Sequence, residues 1–96
     1  MNKYEIMFIV KATNEQDTIS NVSKEMQKLI ADNKGKVVEF KELGEKKLAY
    51  PINKEISGYY YVMQVEANHE CVSEFDRKAL LNENVLRHLT IRIDED

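Results

Sequence analysis

Two lysines, Lys46 and Lys47, lie in the run Glu42-Leu43-Gly44-Glu45-Lys46-Lys47-Leu48-Ala49-Tyr50-Pro51-Ile52, with Lys41 just before it. Three consecutive tyrosines follow within Gly58-Tyr59-Tyr60-Tyr61-Val62-Met63-Gln64-Val65-Glu66. Lysines beside a chain reversal can meet phosphates, and aromatic rings on an open sheet can stack on unpaired bases. The same lysines also read as a solvated turn, and packing accounts for at least one of the tyrosines. Arg87, His88 and Arg92 form a second basic group near the C-terminus. Little else offers chemistry. His69 has only Glu70 at ligand spacing, so no metal site is expected. Cys71 is the one cysteine: it has no disulfide or redox partner and reads as a small apolar core residue. The segment Lys11-Ala12-Thr13-Asn14 carries neither an arginine with a glycine-rich phosphate cradle nor a Cys-x-x-Cys pair. No cofactor or catalytic role is therefore expected, and the chain offers a surface.

That surface has to share its elements with the scaffold, because 96 residues suit one hydrophobic core. We expect one domain over residues 1–93 and an acidic tail over 94–96. The 14 basic and 17 acidic residues give a net charge of −3. Without Asp94, Glu95 and Asp96 the body is neutral, so phosphate binding must come from a local patch, with a shallow salt dependence. No apolar run approaches the roughly 18 residues a membrane span needs. Met1-Asn2-Lys3-Tyr4 leads straight into an alternating pattern without a secretory leader, which predicts a cytoplasmic protein.

Tyr4, Ile6, Phe8 and Val10 alternate with Lys3, Glu5, Met7 and Ile9, which predicts a strand over 3–10. Thr13-Asn14-Glu15-Gln16 has capping-box spacing ahead of Ile19, Val22, Met26, Leu29 and Ile30, which recur at helical intervals. A helix over about 15–33 follows, with Gly35 as the left-handed residue that ends it. Strand chemistry returns over 36–52, where Gly44 suggests a bulge and Pro51 a sheet edge. Asn53 to Gly58 reads as a turn and Tyr59 to Ala67 as the next strand. Asn68 caps a second helix with Val72, Phe75 and Ala79 on its apolar face and Leu80 flanking it. Asn82-Glu83-Asn84 ends that helix, and Val85 to Ile93 is the last strand.

Strand, helix, strand, strand, helix, strand is the order of a ferredoxin-like βαββαβ sandwich, an α+β fold whose four-stranded antiparallel sheet carries both helices on one face. Its other face has no helix. If Ile6, Phe8, Tyr61, Met63 and Val65 point to the helices, then Met7, Ile9, Tyr60 and Val62 point away and form an exposed apolar patch of the kind that marks an interface. The last strand has apolar residues on both faces, and alternation alone does not orient it.

Several segments, placed on these elements, resemble the bacterial small-subunit ribosomal protein S-six family: Lys3-Tyr4-Glu5-Ile6, Glu42-Leu43-Gly44, Lys46 to Ile52, Gly58-Tyr59-Tyr60, Gln64-Val65-Glu66 and Asn84-Val85-Leu86-Arg87. The resemblance spans nearly the whole chain, and Leu-Gly-x-(Lys/Arg)-(Lys/Arg)-Leu-Ala-Tyr-Pro-Ile is its most specific part. It implies a non-catalytic ribosomal protein that binds the central domain of small-subunit ribosomal RNA as a heterodimer with ribosomal protein eighteen. Carried over residue by residue, it puts RNA contacts at Lys3, Lys46, Lys47 and Arg87; Arg92 joins them as a basic residue of the same strand. Asn2 stands where relatives often have a basic residue. The patch of Met7, Ile9, Tyr60 and Val62 would seat the protein partner. Two other readings stay open: a metabolite-binding regulatory domain that dimerises side by side, and a stand-alone RNA-recognition module.

Overall fold

The structure is a computed structural model, and it describes residues 2–12, 15–52 and 54–93. Six elements follow in the expected order: β1 Asn2–Lys11, α1 Gln16–Asp32, β2 Lys36–Ile52, β3 Glu55–Ala67, α2 His69–Leu81 and β4 Val85–Arg92. The four strands form one antiparallel sheet in the order β2-β3-β1-β4, with β2 and β4 as edges. Pro51 therefore lies on an edge strand, where its missing N–H leaves no central ladder bond unmade. No helix among the described residues is long and apolar enough to cross a membrane.

The core lies between the helices and one face of the sheet. Ile6, Phe8 and Val10 of β1 and Tyr61, Met63 and Val65 of β3 are buried against Ile19, Val22, Met26 and Ile30 of α1 and Cys71, Val72, Phe75 and Ala79 of α2. The helical and strand periods of the sequence thus meet on one apolar layer. Leu80, expected to flank that layer, is instead exposed at the end of α2. Tyr61 is sandwiched between Phe8 and Phe40, its ring centroid 5.2 and 5.6 Å from theirs. Burial, with help from Glu42 and Tyr59, raises the pKa of its phenol above the usual value.

The caps explain the element boundaries. Asn68 accepts the Cys71 amide at 2.9 Å and starts α2 as expected. Thr13 and Asn14, the first half of the expected capping box, lie outside the described residues. Gln16, expected to reach back within that box, donates its Nε2 to the Tyr59 hydroxyl at 2.8 Å. At the other end of α1, the Gly35 amide reaches the Ile30 carbonyl at 2.8 Å and the Lys34 amide reaches that of Ala31 at 3.1 Å. These two bonds make a Schellman motif. Its left-handed residue is Lys34, at φ 69°, and not Gly35 as the sequence suggested. Gly35 is required by crowding: a Cβ there would stand 2.8 Å from Ile30 Cγ2 and 3.0 Å from Cys71 Sγ.

Cys71 is buried beneath that turn, its Sγ 3.6 Å from the Ile30 carbonyl oxygen. Burial pushes the thiol pKa up, while a hydrogen bond from the Gly35 backbone opposes the shift. The native thiol therefore keeps its proton at a pH where the unfolded chain, near about 8.5, releases it. Its contribution to stability is full below that value and is lost as pH rises past it. At pH 8, iodoacetamide should label native Cys71 roughly tenfold or more slowly than the urea-unfolded chain. Equal rates would show the site to be open.

Candidate partner and RNA interface on the open face

Alternation along the strands settles which side chains leave the core. On β1 the even residues face the helices, so Lys3, Glu5, Met7, Ile9 and Lys11 face away. On β3 the open-face set is Gly58, Tyr60, Val62 and Gln64. In β4, Leu89 pairs with Met7 and Arg87 with Ile9, so Arg87, Leu89 and Ile91 share the open face. His88 and Thr90 lie on the helix side, where both reach Asp76 of α2, at 3.3 and 3.0 Å. Arg92 pairs with Tyr4, which puts it on the helix side too, and its guanidinium donates to Asn2 Oδ1 at 3.1 Å.

The two lysines of β2 part company. Lys46 pairs with Gly58 and Lys47 with Ser57, so Lys46 faces the open side and Lys47 the helix side. They are not at the bend, as the sequence suggested: β2 runs on to Ile52, and β3 begins at Glu55 instead of Tyr59. Lys54, at φ 68°, lies between the two strands, and Asn53 is outside the described residues. Lys46 Nζ stands 6.0 Å from the centre of the Tyr60 ring. Of the three tyrosines, only Tyr60 is on the open face; Tyr61 is core and Tyr59 faces α1.

The far end of β2 departs most from what the sequence suggested. Two bulges, one at Val38 and one at Leu43 beside Gly44 (φ 84°), precede a larger one, in which Leu48–Pro51 face Ile56 alone. This segment leaves the plane of the sheet and crosses the open face. Tyr50 of edge strand β2 accepts a hydrogen bond from Arg87 Nη1 of the opposite edge strand, and its ring centre lies 5.9 Å from the Arg87 guanidinium carbon. Leu48, Tyr50 and Ile52 close over Met7, Ile9 and Tyr60, with exposed Leu89 at the edge of a cleft of about 210 Å³.

Ile9 is consequently buried, at 3% exposure, and not exposed as expected. Gly58 makes the burial possible, since a Cβ at that position would lie 2.4 Å from Ile9 Cγ2. Met7, Tyr60 and Val62 remain half-buried. The large apolar residues most open on this face are ones the sequence left unassigned: Tyr50 at 54%, Leu89 at 51% and Ile91 at 48%. β4 signalled Leu89 and Ile91 only weakly because it is apolar on both faces, and Tyr50 belongs to β2.

Charge on this face is uneven. Lys11 and Lys46 both pair with Gly58, and Arg87 pairs with Ile9, so three cations ring the cleft end. Lys46 and Arg87 stand on opposite edges, about 14 Å apart across three strand spacings. Lys3 pairs with Glu66, eight positions along β3 from Gly58, or about 27 Å away. Around Lys3 the charges are mixed, with Glu5, Glu39, Lys41 and Glu66 nearby, and Lys41 within 3.4 Å of Glu39. The structure thus gathers Lys46 and Arg87 with Lys11, a residue that nothing in the sequence pattern singled out. Lys3 lies at the other end, and Lys47 and Arg92 on the other face. Among the described residues no group of three or more His, Cys, Asp or Glu side chains could hold a metal ion.

Residues 3–92 match the family model described as Ribosomal protein S6. The fold is also similar to the crystal structure of a 30S ribosomal protein S6 from Thermotoga maritima, with a TM-score of 0.91 at 26% identity over 96% of this chain and 87% of that one. A sheet with one apolar, cation-rimmed face suits a protein that works by contact. With the family match running through all six elements, the chain belongs to the ribosomal protein S6 family of the small ribosomal subunit.

Proposed function

We propose that this chain binds the central domain of small-subunit ribosomal RNA together with ribosomal protein eighteen, as a heterodimer, during assembly of the bacterial small subunit. Its role is structural. The observation that carries the reading is the open face: exposed Leu89 and Ile91 beside half-buried Met7, Tyr60 and Val62, rimmed at one end by Lys11, Lys46 and Arg87. Apolar area of this kind is what a protein partner removes from water, and the cations beside it are placed for phosphates. A neutral body with three local cations gives weak RNA affinity alone, so a basic partner supplies the remaining phosphate contacts. A stand-alone RNA-recognition module would want several aromatic rings free for stacking on this face, and of the two tyrosines there Tyr60 is half-buried and Tyr50 is engaged by Arg87.

The division of the lysine pair gives the test. Filter binding of the heterodimer to central-domain RNA should weaken about three- to tenfold for Lys46→Ala, with a salt slope smaller by about one. Lys47→Ala, which faces the helix side, should change affinity less than twofold. Equal losses for the two variants would show that the open face does not orient the RNA.

A further inference from the structure

Arg87 has two claims on it: it is one of the cations placed for RNA, and in the free protein it is already engaged by Tyr50. The segment it engages is irregular. Leu48–Pro51 lie opposite a single residue of β3, so the hairpin ladder does not fix them as it fixes Lys46 and Lys47. Tyr50 is more than half exposed, and its bond to Arg87 spans the whole width of the sheet. Beneath the segment lie Met7, Ile9 and Tyr60, apolar floor that it withholds from any other occupant.

We propose that Leu48–Ile52 is a displaceable strap across the open face, latched in the free protein by Tyr50 on Arg87, and that an RNA phosphate releases it by taking the guanidinium. The release step rests on the function proposed above; the latch does not. A phosphate oxygen is the stronger acceptor for the guanidinium, because a hydrogen bond with both partners charged is roughly twice as strong as one to a neutral hydroxyl. Once Arg87 turns to phosphate, the strap is deprived of both the hydrogen bond and the ring interaction at its outer end. Opening it uncovers the apolar floor for the protein partner. RNA and partner thereby favour the same open state, which makes their binding mutually reinforcing through one two-state element.

Hydrogen exchange on the free protein reads the latch alone. Tyr50→Ala and Arg87→Ala should each raise exchange at the Leu48, Ala49 and Ile52 amides about fivefold, the factor that removing a cation–π interaction of about 1 kcal/mol gives. The double variant should match either single one, since both substitutions remove the same interaction. Amides of Phe8 and Met63 should not change and so report an intact sheet. Unchanged strap exchange, or multiplied effects in the double variant, would overturn the latch. Purified ribosomal protein eighteen then probes release: Tyr50→Ala should bind it a few-fold more tightly, because the closed state no longer competes. Weaker binding by Tyr50→Ala would overturn the strap's role. Absence of binding even by the wild type would instead reject the proposed function, leaving the exchange result to stand by itself.

Discussion

Phe8→Ala is expected to lower the unfolding free energy by about 3–5 kcal/mol, enough to leave this domain marginally folded at best. Phe8 is fully buried at the centre of β1, the strand flanked by β3 and β4, and its ring stacks on Tyr61 at 5.2 Å and 19°. Truncation removes the transfer free energy of the ring and leaves a cavity that the neighbouring strands, held on both sides by ladders, cannot fill. Phe40→Ala is the control. Phe40 stacks on the other side of the same Tyr61 at 5.6 Å, but it lies on edge strand β2 and is half-buried. Water can replace part of what it loses, and the cost should be about half as large. Urea unfolding of the two variants checks the ordering; equal midpoint shifts would show that Tyr61 is held as firmly from the edge as from the centre. The slope of the transition should be unchanged in both, because neither substitution alters the surface exposed on unfolding by much.

The elements and the core are legible in the sequence because they rest on periodicity, a local property of the chain. Ile19, Val22, Met26 and Ile30 fall on one side of a helix wherever that helix is placed, and Phe8 and Tyr61 are fixed by alternation once their strands are accepted. Alternation leaves other features degenerate, and those stay hidden. β4 carries Leu89 and Ile91 on one face and His88 and Thr90 on the other, and only the register with β1, Met7 against Leu89, says which is which. The positive φ of Lys34 is masked by Gly35, the residue type that usually takes it, although Gly35 is there for lack of room.

The site is less legible for a related reason. Adjacent lysines look like a pair in sequence, but adjacency in a strand places them on opposite faces, and so Lys46 and Lys47 cannot serve one surface. Ile9 reads as exposed because a face with no helix looks bare. The cover comes from the chain's own β2, through a bulge whose size no residue between Lys47 and Ile52 announces apart from Pro51. Tyr50 and Pro51 belong to the segment that carries most of the sequence resemblance, and in the structure the tyrosine has a physical role, because it spans the sheet to Arg87. The same strap divides the open face: Met7, Ile9 and Tyr60 lie in the cleft beneath it, while Leu89 at the cleft's edge and Ile91 stay exposed.

That division supports the second large effect: Leu89→Glu is expected to weaken heterodimer formation by a hundredfold or more while leaving the fold intact. Leu89 is half exposed, so a glutamate there stays hydrated in the free protein and costs little; thermal unfolding should shift by no more than a surface substitution does, about 0.5 kcal/mol. In the proposed complex the same position lies within the apolar area, paired with Met7 and on the same face as Ile91, and a partner seated there would strip the carboxylate of water. Burying an unpaired charge in an interface centre costs several kcal/mol, far more than truncating the leucine to alanine would. Arg87 is two residues away on the same face, but Tyr50 already engages it, so it offsets at most part of that cost. Leu80→Glu is the matched control, an exposed leucine at the end of α2 that lies outside the open face, and it should bind the partner as the wild type does. Calorimetric titration with purified ribosomal protein eighteen distinguishes the two. If Leu89→Glu binds normally, or if Leu80→Glu fails equally, the partner does not occupy the open face, whatever the ribosome does with the rest of the chain.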